Sequence, residues 1–440
     1  MTARGLIIAA PTSGSGKTLV TLALLRLARD AQIAVASAKV GPDYIDPAFH
    51  AAATGRPCLN LDPWAMRPET RAALLARLAE TAELILCEGV MGLFDGATAT
   101  AGSTADVAAA TGWPVILVVD VRAQAASVGA VVLGFARYRG DVRVAGVIFN
   151  RVGGEKHLRV LTEAVARATP EIVVLGGLPR DPALTLPERH LGLVQAAEHP
   201  DLEGFLAGAT QSVARHIDLD RLFALATPAT ETEAACQPAV PLPPLGQRIA
   251  VARDAAFAFS YAAILDGWRA AGAEISPFSP LADEPPHAEA DAVYLPGGYP
   301  ELHAGTLANH ARFFDGLRRA AGRGAVILGE CGGYMVLGSG LIDGQGDRHA
   351  MAGLLPLETS FAERRLHLGY RVAEVAGDSP LGPDGCRFSG HEFHYATVTG
   401  EGEGMPLFSL TDADGRPLGM AGRRSGRVMG SFIHLIDQRR

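Results

Sequence analysis

Short, unbroken apolar runs alternate with longer stretches of helical period through the first half of the chain. The runs Gly5–Ala10, Ile33–Lys39, Glu83–Glu88, Pro114–Asp120, Val142–Asn150 and Ile172–Leu175 predict strands. Between them Thr18–Asp30, Glu69–Ala79, Thr104–Ala110, Ala125–Arg139 and Glu155–Arg167 predict helices. A strand that is apolar at every position is buried on both faces, so this alternation predicts an α/β fold with a mainly parallel sheet covered by helices. The pattern then breaks. Residues 226–246 are rich in Pro, Thr and Ala, carry no periodicity and read as an interdomain linker. Alternation restarts with strand Arg248–Ala252, helix Ser260–Ala271, strand Ala292–Leu295, helix Glu301–Ala321 and strand Ala325–Gly329. From about residue 350 the chain turns strand-rich, ending in Val428–His434. The expected organisation is one domain over 1–225 and a second over 247–440, with no internal repeat.

Composition narrows the function classes. The 440 residues include 39 basic and 47 acidic side chains, a formal net charge of −8, which argues against a general binder of nucleic acid or membrane surfaces. The five cysteines are scattered and never form C-x-x-C, so they make neither a disulfide framework nor a zinc ligand set. The first apolar run is only five residues long and leads into a Gly/Ser loop, which is a buried strand rather than a signal peptide. No run approaches the roughly 18 apolar residues of a membrane span. The expectation is a soluble, cytoplasmic protein. Only Lys17, Lys39 and Lys156 are lysines among the 39 basic residues, which suggests positions where a compact point charge is needed.

Two loops carry candidate chemistry. Ala10-Pro-Thr-Ser-Gly14-Ser15-Gly16-Lys17-Thr18 lies between a predicted strand and a helix, the setting in which backbone N–H groups wrap phosphates. In that reading Lys17 reaches the outer phosphates and the Thr18 hydroxyl meets Mg²⁺, although Pro11 replaces the first glycine of the usual pattern. Glu88 ends a strand in the position of a metal-binding acid, with Asp43, Asp46 and Asp95 on neighbouring loops. Each Asp, taken singly, also fits a turn. The second loop is Gly329-Glu-Cys331-Gly-Gly333, a G-x-C-x-G nucleophile elbow. There the dipole of the following helix is expected to lower the pKa of the Cys331 thiol. His434, at the end of the last apolar strand, is the candidate base, and Gly297 and Gly298 the candidate oxyanion hole.

Together these motifs resemble the cobyrinic and hydrogenobyrinic acid a,c-diamide synthases over essentially the whole length. The resemblance rests on Pro11–Thr18, Lys39–Pro47, Glu88–Gly96, Leu186–Leu193, Leu295–Glu301, Gly329–Gly333, Gly390–Tyr395 and Gly430–His434. It implies a dethiobiotin-synthetase-like P-loop domain joined to a class I glutamine amidotransferase domain. The implied reaction uses ATP as co-substrate, with Mg²⁺, to activate tetrapyrrole carboxylates as acyl phosphates. Cys331 then releases ammonia from L-glutamine. By resemblance, Thr18, Asp46 and Glu88 are metal-site candidates, and Asp43 and Asp95 help position or activate the carboxylate. Asn150 is a candidate for reading adenine. Lys39, Tyr44, Arg189 and His190 are substrate candidates, joined by the segments Arg364–Arg371 and Gly390–Tyr395. A shielded path for ammonia and a homodimer are also implied, with no nucleic-acid or membrane partner. The usual third triad member, a Glu two residues after the His, is replaced by Ile436, as this branch of the class is known to do. Nickel-sirohydrochlorin a,c-diamide synthase and cobyric acid synthase remain alternatives. So does a P-loop switch with an inactive amidotransferase domain, although Thr12 stands where such switches carry a signature lysine.

Overall fold

A computed structural model describes residues 3–189, 192–230 and 238–439. The chain divides into two compact units, 1–64 with 71–237 and 65–70 with 238–440.

The first unit is built on seven parallel strands: β1 (Arg4–Ala9), β2 (Val35–Val40), β3 (Leu59–Leu61), β4 (Leu84–Glu88), β5 (Val115–Asp120), β6 (Val144–Val152) and β7 (Val173–Pro179). Their spatial order is β3-β2-β4-β1-β5-β6-β7. The chain adds strands to one side of β1 and then crosses to the other, so β1 lies at the switch point where a parallel sheet opens a crevice beyond its carboxyl ends. Every residue of β2 and β4 is buried, so these stretches do not alternate, and their polar members Ser37, Lys39 and Glu88 are buried too. Two residues of the stretch read as linker, Thr227–Pro228, pair antiparallel with Gly5 and Arg4 of β1. The helices Asp46–Thr54 and Leu202–His216 were not read from the pattern.

The second unit holds a ten-stranded mixed sheet. Its strands are β8 (Arg248–Ala252), β9 (Glu274–Phe278), β10 (Ala292–Leu295), β11 (Val326–Glu330), β12 (His367–Val375), β13 (Arg387–His394), β14 (Met405–Asp412), β15 (Pro417–Ser425), β16 (Val428–Ser431) and β17 (Ile433–Arg439). The order is β9-β8-β10-β11-β16-β15-β14-β12-β13-β17, parallel from β9 to β16 and antiparallel beyond. The expected helix Glu301–Ala321 is two helices, Ala304–Ala308 and Ala311–Gly322, broken at Asn309-His310. Likewise the expected strand Val428–His434 is interrupted at Phe432, where the chain leaves the parallel half and starts β17 beside β13. Asp437, fully buried near the end of β17, ties residues 65–70 into this unit. It accepts the Arg67 backbone N–H at 2.7 Å and a guanidinium N–H at 2.8 Å.

Close packing of β1 sets a testable limit. A Cβ on Gly5 would lie 2.1 Å from the fully buried Trp113 ring. Gly5→Ala is expected to destabilise the protein by about 1–3 kcal/mol, as overpacking does. Chemical denaturation reads this directly, and an unchanged midpoint would contradict the packing described.

Candidate active sites

In the first unit β1 runs into the loop 10–16, and helix α1 (Lys17–Asp30) follows. Gly14 and Gly16 take left-handed φ values of 74° and 97°. No side chain caps α1, so the N–H groups of its first turn face the loop without a side-chain acceptor. Strand ends hold the loop from the side. Asn150, at the end of β6, donates its Nδ2 to the Ser15 carbonyl at 2.9 Å, and Arg151 donates to the Gly14 carbonyl at 3.0 Å and to Asp120 at 2.6 Å. Asn150 Oδ1 accepts the Arg151 N–H at 2.9 Å. Its amide braces the phosphate loop through one N–H and one oxygen lone pair, with a second of each remaining.

Beneath the loop lies a buried charge cluster. Glu88 Oε1 accepts from the Thr18 hydroxyl at 2.6 Å and from the Lys39 ammonium at 2.9 Å, while Oε2 faces His50 Nε2 at 2.7 Å. Lys39 also reaches Asp46 at 2.5 Å, with Asp43 at 3.9 Å. Burial opposes ionisation of Glu88, but Lys39, His50 and Thr18 outweigh it and hold the carboxyl well below the usual range. Asp46 goes the other way: burial and the neighbouring Asp43 push it up to about 7, against the pull of Lys39. Lys39 itself loses stability by burial, and Asp46, Glu88 and Asp43 more than restore its charge. Lys17 donates to the Met91 carbonyl at 2.6 Å and is lowered to about 8 by burial and by Lys39. Lys39 is thus the internal counter-ion of Asp46, Glu88 and Asp43.

In the second unit three loops leave adjacent parallel strands at the same level. Leu295 pairs with Gly329, and Glu330 with Ser431, so 296–299, the Cys331 elbow and 432–434 meet at one edge of the sheet. Cys331 takes φ 46° and ψ −105°, a strained left-handed-side conformation for a side-chain-bearing residue, held by its N–H donating to the Ser431 carbonyl at 2.8 Å. A Cβ on Gly297 would lie 2.3 Å from His434 Cε1, 3.1 Å from its Nε2 and 3.3 Å from Cys331 Cβ. That one point locates the His–Cys pair and explains why only glycine fits there. The Gly298 nitrogen lies 3.0 Å from where a Gly332 side chain would begin, which places Gly298 N–H beside the elbow. His434 is fully buried, and burial, with His391 and His394 nearby, lowers it to about 3. It is neutral at neutral pH.

Burial also raises the Cys331 thiol well above its ordinary value, with Glu301 adding to the effect. The expected lowering by the helix dipole is therefore overturned. Gly332–Leu337 is six residues long, and its dipole is outweighed by removing the thiolate from water.

Two family models match the chain. One, described as the CobQ/CobB/MinD/ParA nucleotide binding domain, matches residues 6–194; the other, the CobB/CobQ-like glutamine amidotransferase domain, matches 248–440. A protein of Rhizobium meliloti named hydrogenobyrinate a,c-diamide synthase is 56% identical, covering 98% of this chain and 99% of its own. Proteins of the same name from Brucella anthropi and Agrobacterium fabrum are 55% and 51% identical, each alignment covering 99% of this chain and 98% and 99% of theirs. The chain belongs to the hydrogenobyrinate a,c-diamide synthase family.

Of the remaining candidates in this hydrogenobyrinate a,c-diamide synthase framework, Asp43 and Asp95 lie within electrostatic reach of Lys39 and Lys17. Asp43 Oδ1 accepts the N–H groups of Ile45 and Asp46, and Asp95 Oδ2 accepts that of Gly92, so each shapes its turn as well as facing the loop region. Tyr44 is buried. Arg189 is paired with Glu198 at 2.8 Å, Arg371 with Glu392 at 2.8 Å, and His190 lies outside the described residues. Three buried residues were missed. His50 sits one helical turn after Asp46, so both face Glu88; the i, i+4 spacing was the available signal. Glu301 lies buried near Cys331 inside a motif already noted. Glu330 accepts the Tyr294 hydroxyl at 2.7 Å and the Leu435 N–H at 3.1 Å, and so holds the backbone next to His434.

Two tests follow from this geometry. Gly16→Ala, at φ 97° with Asn150 Nδ2 2.2 Å from the new Cβ, is expected to weaken ATP binding by more than about tenfold in calorimetry. Gly14→Ala meets no atom within 4 Å and is expected to cost less, despite its positive φ. For Glu330, burial raises the pKa from its ordinary 4.5 to about 7, with Tyr294 and the Leu435 N–H opposing. The folded state then binds this proton more tightly than the unfolded one. The stabilisation is complete below about pH 4.5 and is lost as pH rises to about 7. Glu330→Gln is expected to remove a slope worth on the order of 3 kcal/mol between these limits, read as the difference in unfolding free energy between the two proteins across pH.

Proposed function

We propose that this protein is an ATP- and glutamine-dependent amidoligase that converts the a and c acetate carboxylates of hydrogenobyrinic acid or cobyrinic acid to amides in cobalamin biosynthesis. The observation that carries this reading is whole-length membership of a family whose relatives bear that name, in a chain that holds both a nucleotide loop and a thiol elbow. The reading includes a synthetase domain over 1–225, a linker over 226–246 and an amidotransferase domain over 247–440, in a cytoplasmic homodimer. The units separated by contact density lend support to the division.

A carboxylate does not react with ammonia at neutral pH, because oxide is not a viable leaving group. Transfer of the ATP γ-phosphoryl to the carboxylate makes an acyl phosphate, and ammonia displaces phosphate from it. In the proposed site Gly14, Ser15, Gly16 and the first turn of α1 hold phosphates, with Lys17 supplying positive charge. Thr18, Glu88 and Asp46 offer hard oxygen donors close together, a set that suits Mg²⁺, and Thr18 with Glu88 would hold it. Bound there, the ion would neutralise phosphate charge. Asp43 and Asp95 orient the acetate, and Tyr44 lines the same loop.

Glutamine hydrolysis begins with Cys331 and His434 both neutral. His434 takes the thiol proton as sulfur attacks the side-chain amide carbon, so no free thiolate needs to exist in the buried pocket. The Gly297 and Gly298 N–H groups receive the developing oxyanion. Collapse expels ammonia, which carries off the proton from His434, and water cleaves the glutamyl thioester.

Cys331→Ala is expected to reduce glutamine-dependent amidation by at least about 10³-fold while leaving ammonium-dependent amidation intact. Glu88→Gln should do the reverse, damaging both synthetase assays and sparing basal glutaminase. Mass spectrometry of the macrocycle, run with hydrogenobyrinic acid, cobyrinic acid and nickel-sirohydrochlorin, reads both. Two carboxyl-to-amide conversions on either of the first two rings support the assignment; amidation confined to the nickel ring, or to none, overturns it.

A further inference from the structure

Outside the reacting groups, β12 and β13 bring three metal-binding side chains to one face of a two-stranded ribbon. Glu392 and His394 are two apart on β13 and so point the same way; His367 lies directly opposite His394 in the antiparallel register. One ligand atom from each lies within 4.8 Å of the others. We infer that His367, Glu392 and His394 form a binding site for a divalent transition ion, Zn²⁺ being the best match to a His₂Glu set.

The ring of His394 makes the case. Its Nδ1 faces the Ala396 carbonyl at 3.0 Å and its Nε2 faces Glu392 Oε1 at 3.0 Å. A neutral imidazole with Nδ1–H on the Ala396 carbonyl keeps its Nε2 lone pair on the side of Glu392. The His367 ring stacks on that of His394 with centroids 4.6 Å apart and brings a third nitrogen donor to the same face, which completes a ligand set for an ion.

Outer contacts of the kind that orient ligands are already in place. Arg371 donates its Nε–H to Glu392 Oε2 at 2.8 Å and forms an ion pair with the same oxygen, which leaves Oε1 turned toward His394. The Ala396 carbonyl fixes His394 with Nδ1 protonated and Nε2 inward, and Phe432 stacks on that ring at 3.9 Å. The two imidazoles lie within 4° of parallel, so ligation requires the His367 ring to turn about its side-chain torsions, which its partly exposed position permits. The site bears on the thiol through Phe393, the residue between Glu392 and His394, whose carbonyl lies 4.0 Å from Cys331 Sγ. An ion held by the two flanking residues would fix this wall of the thiol pocket.

The full-length protein is stripped with a chelator and titrated with Zn²⁺, and with Co²⁺ for its visible spectrum. The expected result is one high-affinity equivalent in the wild type and in Cys331→Ala, with no sulfur-to-cobalt charge-transfer band. Affinity should fall in His367→Ala by more than the roughly 10–100-fold typical of losing an outer-shell partner. His394→Ala should behave alike, and His367→Ala, altering a partly exposed side chain, keeps the test decisive if the buried variant fails to fold. No stoichiometric binding by the wild type, binding unchanged in His367→Ala, or binding lost in Cys331→Ala would each overturn the inference.

Discussion

Parallel strands that end level with one another deliver their following loops to a single edge, and in both units the candidate chemistry stands on that edge. In the first unit β1, β4 and β2 are neighbours, with Ile8 opposite Glu88 and Glu88 opposite Lys39. The phosphate loop, the acid at the end of β4 and the lysine at the end of β2 therefore converge although they are tens of residues apart in sequence. In the second, the pairs Leu295–Gly329 and Glu330–Ser431 do the same for the glycine loop, the thiol and the histidine. A slip of one residue in any of these registers would turn the side chains to the opposite face and disperse the groups.

Burial then determines how these groups behave. Around Lys39 several acids share little internal positive charge in a region poor in water, so they separate: Glu88, with Thr18, His50 and Lys39 as partners, stays ionised, whereas Asp46 is lifted to about 7. The same low polarity keeps Cys331 protonated and His434 unprotonated. In the proposed glutaminase step, transfer of the proton within the pair at the moment of attack avoids creating a separated thiolate and imidazolium before the substrate's own developing charge is available to interact with them.

The missing triad acid acquires a physical context here. Ile436 stands where other class members carry Glu, and a buried carboxylate approaches the same strand from another element: Glu330, next to the nucleophile, accepts the Leu435 N–H. It acts on the backbone beside His434 rather than on the imidazole. Asp437, one residue further, is committed to Arg67. The strand bearing the histidine is thus held by acids on both sides.

The sequence by itself determined the α/β class, the position to within a few residues of the strands that carry the two candidate loops, the phosphate loop and the thiol elbow, because each depends on local pattern: period, glycine spacing and strand-to-helix order. It also determined the family, through motifs spread over the full length. Tertiary structure alone decided which polar groups face one another. Only the fold shows that the Asn150 amide bonds the loop and that three acids surround Lys39. Thiol pKa was likewise beyond local reading, since a helix start is visible in sequence whereas the burial that outweighs its dipole arises from residues distant in the chain. His367 and His394 are separated by 26 intervening residues and meet only through strand register. Local pattern specifies elements, but pairwise electrostatics varies with distance, and distances between remote residues exist only once the sheet has formed.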